Sequence, residues 1–302
     1  MTPDAPQREV PGAGSPLSRM VLTGPMRQGR VLASFPTAVY LSVGEHHEVL
    51  PLVASDALML PTAVRVSARG SNLDWGVEPG DMVTLGRSVI RLPGWQVRLV
   101  RLVREWRPAR VLASPMLPAP RALSEVADLL SAHVRTPELE QQAAAVCRAA
   151  RSADDDEVRR GTRRLLGAGQ GLTPSGDDVL CSVLLVLNGL GDPTPIAFLG
   201  NAVQVRWTST TSLSASLLDA ARRGYGVPEL VTLVETALRG DVTATLEALT
   251  SVLDIGHSSG RDLVAGLVGS LRVIAAAPSR VRLPSMAVRP ARTLQTVERG
   301  NP

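Results

Sequence analysis

The change in residue pattern along the chain constrains its fold more than any other feature. From residue 19 to about residue 99, short β-branched runs such as residues 30–34 and 38–43 are separated by turn-forming residues. This spacing is typical of a small barrel or sandwich. After residue 124 the apolar residues recur at helical spacing. Helices are expected over residues 156–166, 174–188, 195–206, 212–223, 228–239, 241–253 and 260–276.

The predicted fold class is therefore α+β, with an N-terminal β-rich barrel or sandwich domain followed by an all-helical C-terminal domain. Residues 1–17 are rich in Pro and Gly and are expected to form a disordered leader. Residues 18–110 then form the β-rich domain, and residues 111–123 form a stiff Pro-rich linker. Residues 124–277 form the helical domain, and residues 278–302 form a disordered basic tail.

Several helix starts are marked by local signals. Ser124 is expected to cap a short helix that begins at Glu125, and Thr136 to cap one that begins at Pro137. A hydroxyl before the first turn and Pro in its first position are typical of helix N-termini. Pro228 and Asp241 mark two further starts.

Composition limits the class of protein. Hydrophobic residues make up 44% of the 302 residues, which is enough for a buried core. No apolar run reaches the ~18 residues of a transmembrane helix, and the N-terminus lacks the apolar stretch of a signal peptide. We therefore expect a cytoplasmic protein that does not associate with a membrane.

The charge distribution argues against a nucleic-acid-binding protein. The tail after residue 277 carries five Arg and one Glu, which equals the net charge of +4 of the whole chain, so the body is neutral. A basic tail of this kind is usually solvated. The sequence contains no Lys, which excludes a P-loop lysine and a lysine-bound pyridoxal cofactor. No cofactor is expected.

The cysteine and histidine residues do not predict a metal site. Cys147 and Cys181 lie in apolar helical patterns and are expected to be buried, reduced thiols. The histidines have no ligand spacing with them, and a zinc site is not supported. These histidines are His46, His47, His133 and His257.

Arginine recurs at every third position before the Pro-rich segment, at Arg98, Arg101, Arg104, Arg107 and Arg110. The simpler interpretation is a solvated face of a strand or helix. The alternative is a docking surface for an acidic partner.

The most informative segment is residues 167–178, in which alternating glycines precede a helix start. Gly169 and Gly171 permit backbone conformations closed to other residues and allow a ligand to approach closely. Thr173 is a natural N-cap, and Pro174 a natural first helical residue. Free N–H groups at such a start, together with the helix dipole, attract anions. The spacing and the missing Lys exclude a Walker loop, and the preceding helix argues against a dinucleotide fingerprint.

Two adjacent carboxylates, Asp177 and Asp178, follow the loop. In a first turn they are ordinary partners of the helix dipole. They could instead hold a cation or accept hydrogen bonds from amide N–H groups of a substrate.

A second segment, residues 254–262, echoes the first. Ser259 and its three followers repeat the Ser-Gly-x-Asp pattern of Ser175 at an offset of 84 residues, and both segments open apolar helices. The two starts could face one site, with Asp177 on one side and Arg261 on the other. His257 either caps the helix or acts as a proton donor or substrate hydrogen-bonder.

A third segment, residues 207–214, is dense in hydroxyls before a helix. Capping accounts for one or two of them, and the rest could bind carboxylate or amide oxygens. No Gly-x-Ser-x-Gly context supports a serine nucleophile. The candidate catalytic residues are Asp177, Asp178 and His257. The candidate anion- or substrate-binding residues are Gly169, Gly171, Thr173, Ser175, Gly176, Thr211, Ser212, Ser258, Ser259, Gly260, Arg261 and Asp262.

Taken in order, these segments resemble the AllH-like oxamate carbamoyltransferase subunit family. The similarity lies in residues 169–178, 211–214 and 256–262, with the segment 106–108 in addition, and it extends over roughly residues 20–277. The chain departs from the family pattern at Gln170, Val179 and Cys181-Ser182.

The resemblance implies a subunit of a complex that transfers a carbamoyl group between phosphate and oxamate, in purine ureide (allantoin) catabolism. The catabolic direction would be phosphorolysis of oxalurate to oxamate and carbamoyl phosphate. It also implies a small anionic substrate and two partner subunits, one of them similar to succinyl-CoA ligases. The alternative is a non-catalytic subunit that binds a small anion or serves as a scaffold in an acyl-transfer or ligase complex.

Overall fold

The structure, a computed structural model, describes residues 9–44, 48–93, 99–114 and 116–277. An eight-stranded closed barrel over residues 9–105 precedes an all-helical region over residues 120–276, which confirms the predicted α+β class. Of the two β architectures that the sequence left open, the chain adopts the barrel. The predicted basic tail and the first eight residues of the predicted leader lie outside the described residues.

The barrel strands are β1 (Glu9–Gly14), β2 (Arg27–Phe35), β3 (Ala38–Val43), β4 (Glu48–Val53), β5 (Val64–Val66), β6 (Met82–Gly86), β7 (Val89–Arg91) and β8 (Leu99–Glu105). Their order is β1-β5-β4-β3-β2-β6-β7-β8, and parallel pairing of β1 with β8 closes the barrel. Alternate residues such as Val39, Leu41 and Ile90 fill the interior and are fully buried. The strand character predicted for residues 30–34 and 38–43 is confirmed, since these residues lie in β2 and β3.

The prediction of a disordered leader is wrong for residues 9–17. Residues 9–14 form β1, which pairs with β5 and β8. Its glycines are required by close packing, because a Cβ at Gly12 would lie 2.9 Å from Val100 Cγ1. A composition typical of a turn therefore serves here as a strand packed closely against its neighbours.

The helices are α1 (Arg19–Thr23), α2 (Pro120–Val134), α3 (Pro137–Arg151), α4 (Asp155–Leu165), α5 (Ser175–Leu190), α6 (Pro193–Gln204), α7 (Ser212–Arg222), α8 (Pro228–Leu238), α9 (Val242–Leu253) and α10 (Ser259–Ala276). The predicted starts at Pro228 and Asp241 are confirmed, since α8 begins at Pro228 and the Asp241 carboxylate accepts the Ala244 N–H of α9 at 3.0 Å.

One predicted helix start and one predicted helix cap are wrong. Helix α2 begins at Pro120, inside the predicted linker, because Pro fits a first helical position; Ser124 is therefore an exposed residue within the helix. The side chain of Thr136 makes no capping hydrogen bond to α3, although the helix begins at Pro137 as expected.

Helix α10 lies at the centre of the helical region, where it packs on α2, α3 and α5. Two glycines of α10 allow the neighbouring helices to approach it closely. Gly266 faces α5, and Gly269 faces α3. The outer surface of the barrel continues this core, since Val49, Val53 and Ala63 are buried in the same cluster as the helices. The barrel and the helical region thus share one continuous apolar interface.

The arginine series follows β8 into the connection to the helices. Arg101, Arg104, Arg107 and Arg110 are all exposed, as a solvated face requires. Arg101 pairs with Glu9 at 2.5 Å, and the guanidinium of Arg110 lies 5.3 Å from the centre of the Tyr225 ring. Arg98 lies outside the described residues.

In the part of the chain that the structure describes, no helix has both the length and the apolarity needed to cross a membrane.

Candidate functional site

The glycine-rich loop connects α4 to α5, so a helix precedes the glycines as predicted. Gly167, Gly169 and Gly171 have φ angles of 74°, 126° and 91°, which residues with a side chain rarely adopt. Helix α5 begins one residue later than expected, at Ser175, and Pro174 precedes it as the cap residue. The predicted capping role of Thr173 is wrong, because its hydroxyl bonds to another segment.

Asp177 holds this loop in place. Its buried carboxylate accepts the N–H of Gly167 at 2.8 Å and the hydroxyl of Thr210. Burial raises the pKa of Asp177, while these two hydrogen bonds lower it. The side chain therefore joins the start of α5 to the glycine loop and to the hydroxyl-rich segment.

The hydroxyl-rich segment packs against the same loop. Thr211 caps α7 by accepting the Ser214 N–H at 3.1 Å, and its hydroxyl donates to the Leu172 carbonyl at 2.5 Å. Capping thus accounts for one hydroxyl, as expected. Ser212 is the half-buried first residue of α7.

The two Ser-Gly-x-Asp helix starts lie side by side, as the repeated pattern suggested. The hydroxyls of Thr173 and Ser259 are 3.0 Å apart, although they are separated by 86 residues in the chain. Each start has a glycine where the backbone of an earlier helix approaches. A Cβ at Gly176 would overlap the Leu165 carbonyl oxygen, and a Cβ at Gly260 would overlap that of Val252.

Most amide groups of these first turns are already hydrogen-bonded within the chain. The N–H of Gly176 donates to the Ala168 carbonyl at 2.9 Å, and the N–H of Gly260 donates to Ile255 at 3.0 Å. The N–H groups of Asp177 and Arg261 are likewise bonded to nearby carbonyls. An anion at these starts would therefore depend on other donors, and the predicted anion site remains a prediction.

A cavity of about 300 Å³ opens beside the paired helix starts, between the barrel and the helices. Thr173, Asp178 and Ser259 line it from the helix starts, and the remaining lining is mostly apolar. Asp178 is only 5% exposed, and its Oδ2 has no hydrogen-bond partner among the described residues. The cavity wall therefore includes a buried carboxyl group with one oxygen that is unsatisfied among the described residues.

Burial raises the pKa of Asp178 to about 8. The neighbouring Ser259 hydroxyl lowers this pKa, and the carboxylates of Asp262 and Asp177 raise it. Asp262 is itself buried, and its Oδ2 also lacks a partner among the described residues. At neutral pH the Asp178 carboxyl is mostly protonated, so it can donate a proton as well as accept hydrogen bonds.

The other candidate residues are distributed around this cavity. His257, Ser258 and Arg261 are exposed at the start of α10 and do not line the cavity. Gly169 and Gly171 are exposed on the loop, and Ser175 is half-buried. Of the predicted site residues, the structure brings Thr173, Asp178 and Ser259 together at the cavity wall.

Sequence reasoning missed the contribution of the aromatic residues. The chain has only two Tyr and two Phe, and three of these four, Phe35, Tyr40 and Tyr225, line the cavity. Burial raises the pKa of Tyr40. The chain also has four Trp, and the described ones, Trp75, Trp106 and Trp207, do not line the cavity, so the aromatic content of the chain provided no signal for it.

Both cysteines are free and buried, as predicted. Burial raises the pKa of Cys147 to about 11 and that of Cys181 well above its usual range, which makes both thiols unreactive. Among the described residues, no group of His, Cys, Asp and Glu side chains is arranged to hold a metal ion. His46 and His47 lie outside these residues.

Fold and site together define an α+β protein in which a closed barrel adjoins a helical region whose paired glycine-containing helix starts present a buried carboxyl group to a cavity. The family model of the oxamate carbamoyltransferase subunit AllH matches residues 165–271 of this chain. This stretch runs from the end of α4 into α10, so it includes the glycine loop, the hydroxyl-rich segment and both helix starts. The match confirms the resemblance over these residues, a shorter stretch than residues 20–277.

No solved structure matches the chain with significance.

Proposed function

We propose that the chain is a subunit of a carbamoyltransferase complex that acts on oxamate and carbamoyl phosphate, or in reverse on oxalurate and phosphate. The observation that carries the proposal is the AllH match, because it spans the segments that meet at the cavity. The name of the family describes a subunit, which supports the expectation of partner chains. The assignment to allantoin catabolism and a partner similar to succinyl-CoA ligases follow only from the resemblance.

Asp178 is the residue best placed to move a proton in this reaction. In phosphorolysis, a phosphate oxygen forms a bond to the carbamoyl carbon of oxalurate and the bond from that carbon to nitrogen breaks. The departing nitrogen of oxamate then needs a proton, which the protonated Asp178 carboxyl would supply. In the opposite direction the ionised carboxylate would accept this proton from oxamate.

The remaining candidates have supporting roles in this proposal. Asp177 holds the glycine loop, since its carboxylate is bonded to Gly167 and Thr210. Arg261 and His257 are exposed beside the cavity and would meet the anionic end of the substrate or a partner subunit. Arg is the natural residue for such a contact, because its guanidinium matches carboxylate and phosphate geometry.

Reconstitution tests the proposal. The chain would be purified alone and together with the two partner subunits, and carbamoyl phosphate formed from oxalurate and phosphate would be measured. We expect turnover by the complex and none by the isolated chain. An assembled complex that binds oxalurate without turning it over would contradict the proposal. Turnover by the isolated chain would contradict the requirement for partners.

One observation favours the non-catalytic alternative. The amides of the two helix starts are largely bonded within the chain, so the isolated subunit offers few free donors for a transition-state oxyanion. In that case the same reconstitution would show activity that survives substitution of Asp178.

A further inference from the structure

The cavity between barrel and helices is larger and more apolar than small anionic transfer substrates require. Its volume of about 300 Å³ falls at the lower end of the range for small-molecule pockets. Leucine side chains from both regions line it, including Leu58 and Leu60 from the barrel side and Leu185 and Leu217 from the helices. Oxamate and carbamoyl phosphate have no apolar portion that would displace water from this apolar lining.

The polar groups of the cavity favour a nitrogen donor over an anion. Among its described lining residues there is no Arg or His, so no side-chain cation faces a carboxylate or phosphate. The one carboxyl in this lining is Asp178, whose Oδ2 is buried and has no hydrogen-bond partner among the residues that the structure describes. The hydroxyls of Thr173 and Ser259 bond to each other at 3.0 Å.

Part of the apolar lining is already exposed to water. Phe35 is 45% exposed and Leu172 is 37% exposed, and both line the cavity. The ring of Phe35 contacts that of Tyr40 edge to face, with centroids 5.8 Å apart. An apolar ligand would cover surface that is otherwise costly to expose.

We propose that this cavity binds an uncharged amide or urea with an apolar body, whose N–H group hydrogen bonds to the Asp178 carboxyl. A carboxyl that is protonated at neutral pH pairs with a primary amide through two hydrogen bonds, one donated and one accepted. This agrees with the raised pKa of Asp178. The inference goes beyond carbamoyl transfer and does not depend on it.

Calorimetric titration of the full chain tests the proposal. The ligands are acetamide, butanamide, hexanamide and hexanoate, and the titrations are made at about pH 7, where Asp178 is mostly protonated. Each buried methylene is expected to tighten binding about fourfold, so hexanamide should bind roughly tenfold or more tightly than butanamide. Hexanoate should bind more weakly than hexanamide, because it has no N–H group to donate to the Asp178 carboxyl. Equal affinities for acetamide and hexanamide would overturn the proposal.

Two substitutions locate the binding. Asp178→Leu removes both hydrogen bonds and puts a larger apolar side chain in place of the carboxyl, so it should weaken hexanamide binding more than tenfold. Asp254→Leu, at an exposed aspartate outside the cavity lining, is the matched control and should bind like the parent. Parental affinity in Asp178→Leu would overturn the proposal.

Ala221→Leu provides the second test. It shows whether hexanamide binds in this cavity even if Asp178→Leu does not fold. Ala221 lines the cavity from α7, and the larger side chain should fill the space for the apolar body. Hexanamide should then bind no more tightly than butanamide. A preserved dependence on chain length would contradict binding in this cavity. Because these are binding measurements, their failure is distinguishable from a failure of carbamoyl transfer.

Discussion

At the scale of single residues, two adjacent aspartates at one helix start have different surroundings. Asp177 accepts hydrogen bonds from the loop and from Thr210, whereas Asp178 lines the cavity and has one oxygen without a partner in the described part of the chain. The sequence predicts that both carboxylates lie in a first turn. It cannot assign their partners, because Thr210 and Ser259 come from distant parts of the chain.

We predict that Asp178 makes the protein less stable as the pH rises. Its pKa is about 8 in the folded chain and near 3.8 when the chain is unfolded. Between these values the folded state binds one more proton, so the free energy of unfolding falls as the pH rises through this window. Asp178→Asn removes the titrating carboxyl group, so the free energy of unfolding should depend less on pH in this variant.

Chemical denaturation between about pH 5 and about pH 8 measures this effect. The parent should lose stability over this range by more than Asp178→Asn does. Asp254→Asn, at an exposed position, is the control and should follow the parent. Equal slopes for the parent and Asp178→Asn would show that Asp178 titrates at an ordinary pKa.

At the scale of elements, α10 owes its central position to small residues. A Cβ at Gly266 would lie 2.5 Å from the Val179 carbonyl oxygen, and one at Gly269 would lie 2.7 Å from Ala143 Cβ and would overlap the Glu140 carbonyl oxygen. Backbone atoms cannot move aside without shifting a whole helix. The close contact of α10 with α3 and α5 in turn brings the two helix starts together.

We predict that Gly269→Ala destabilises the protein by about 2 kcal/mol or more, since overpacking against backbone outweighs the helix propensity that Ala gains. Gly200→Ala is the matched control, because the atoms nearest to its new Cβ belong to the flexible side chain of Arg222 and not to backbone. The control should change the free energy of unfolding by less than about 1 kcal/mol. Similar effects in both variants, measured by denaturant titration, would contradict the packing argument.

Helix starts with local signals were predictable, and those with distant partners were not. Asp241 caps α9 through its own first turn, so four residues of sequence suffice to recognise it. Thr173 has the same local appearance as a cap, but its hydroxyl bonds to Ser259, 86 residues away. The repeated Ser-Gly-x-Asp pattern indicated that the two starts lie together, and they do, but neither Asp177 nor Arg261, the residues expected to face a shared site, lines the cavity.

At the scale of the whole molecule, the candidate site depends on both regions of the chain. The helices supply Asp178, and the barrel supplies Phe35 and Tyr40 to the same cavity. The sequence predicted the order of the two regions from their residue patterns. It did not predict the cavity between them, because contacts across an interface leave no periodic signal. The strand β1 was missed for a similar reason, since its partners β5 and β8 are distant in the chain.

In the proposed function, Asp178 moves the proton in carbamoyl transfer by the assembled complex. The most direct measurement is the rate of carbamoyl phosphate formation from oxalurate and phosphate by complexes that contain the parent chain, Asp178→Asn or Asp178→Glu. Asn cannot give up a proton, so its rate should fall by roughly a hundredfold or more, with Glu retaining part of the activity. The parental rate should fall as the pH rises through about 8, where Asp178 loses its proton. An Asp178→Asn complex that is correctly assembled and turns over at the parental rate would contradict the account.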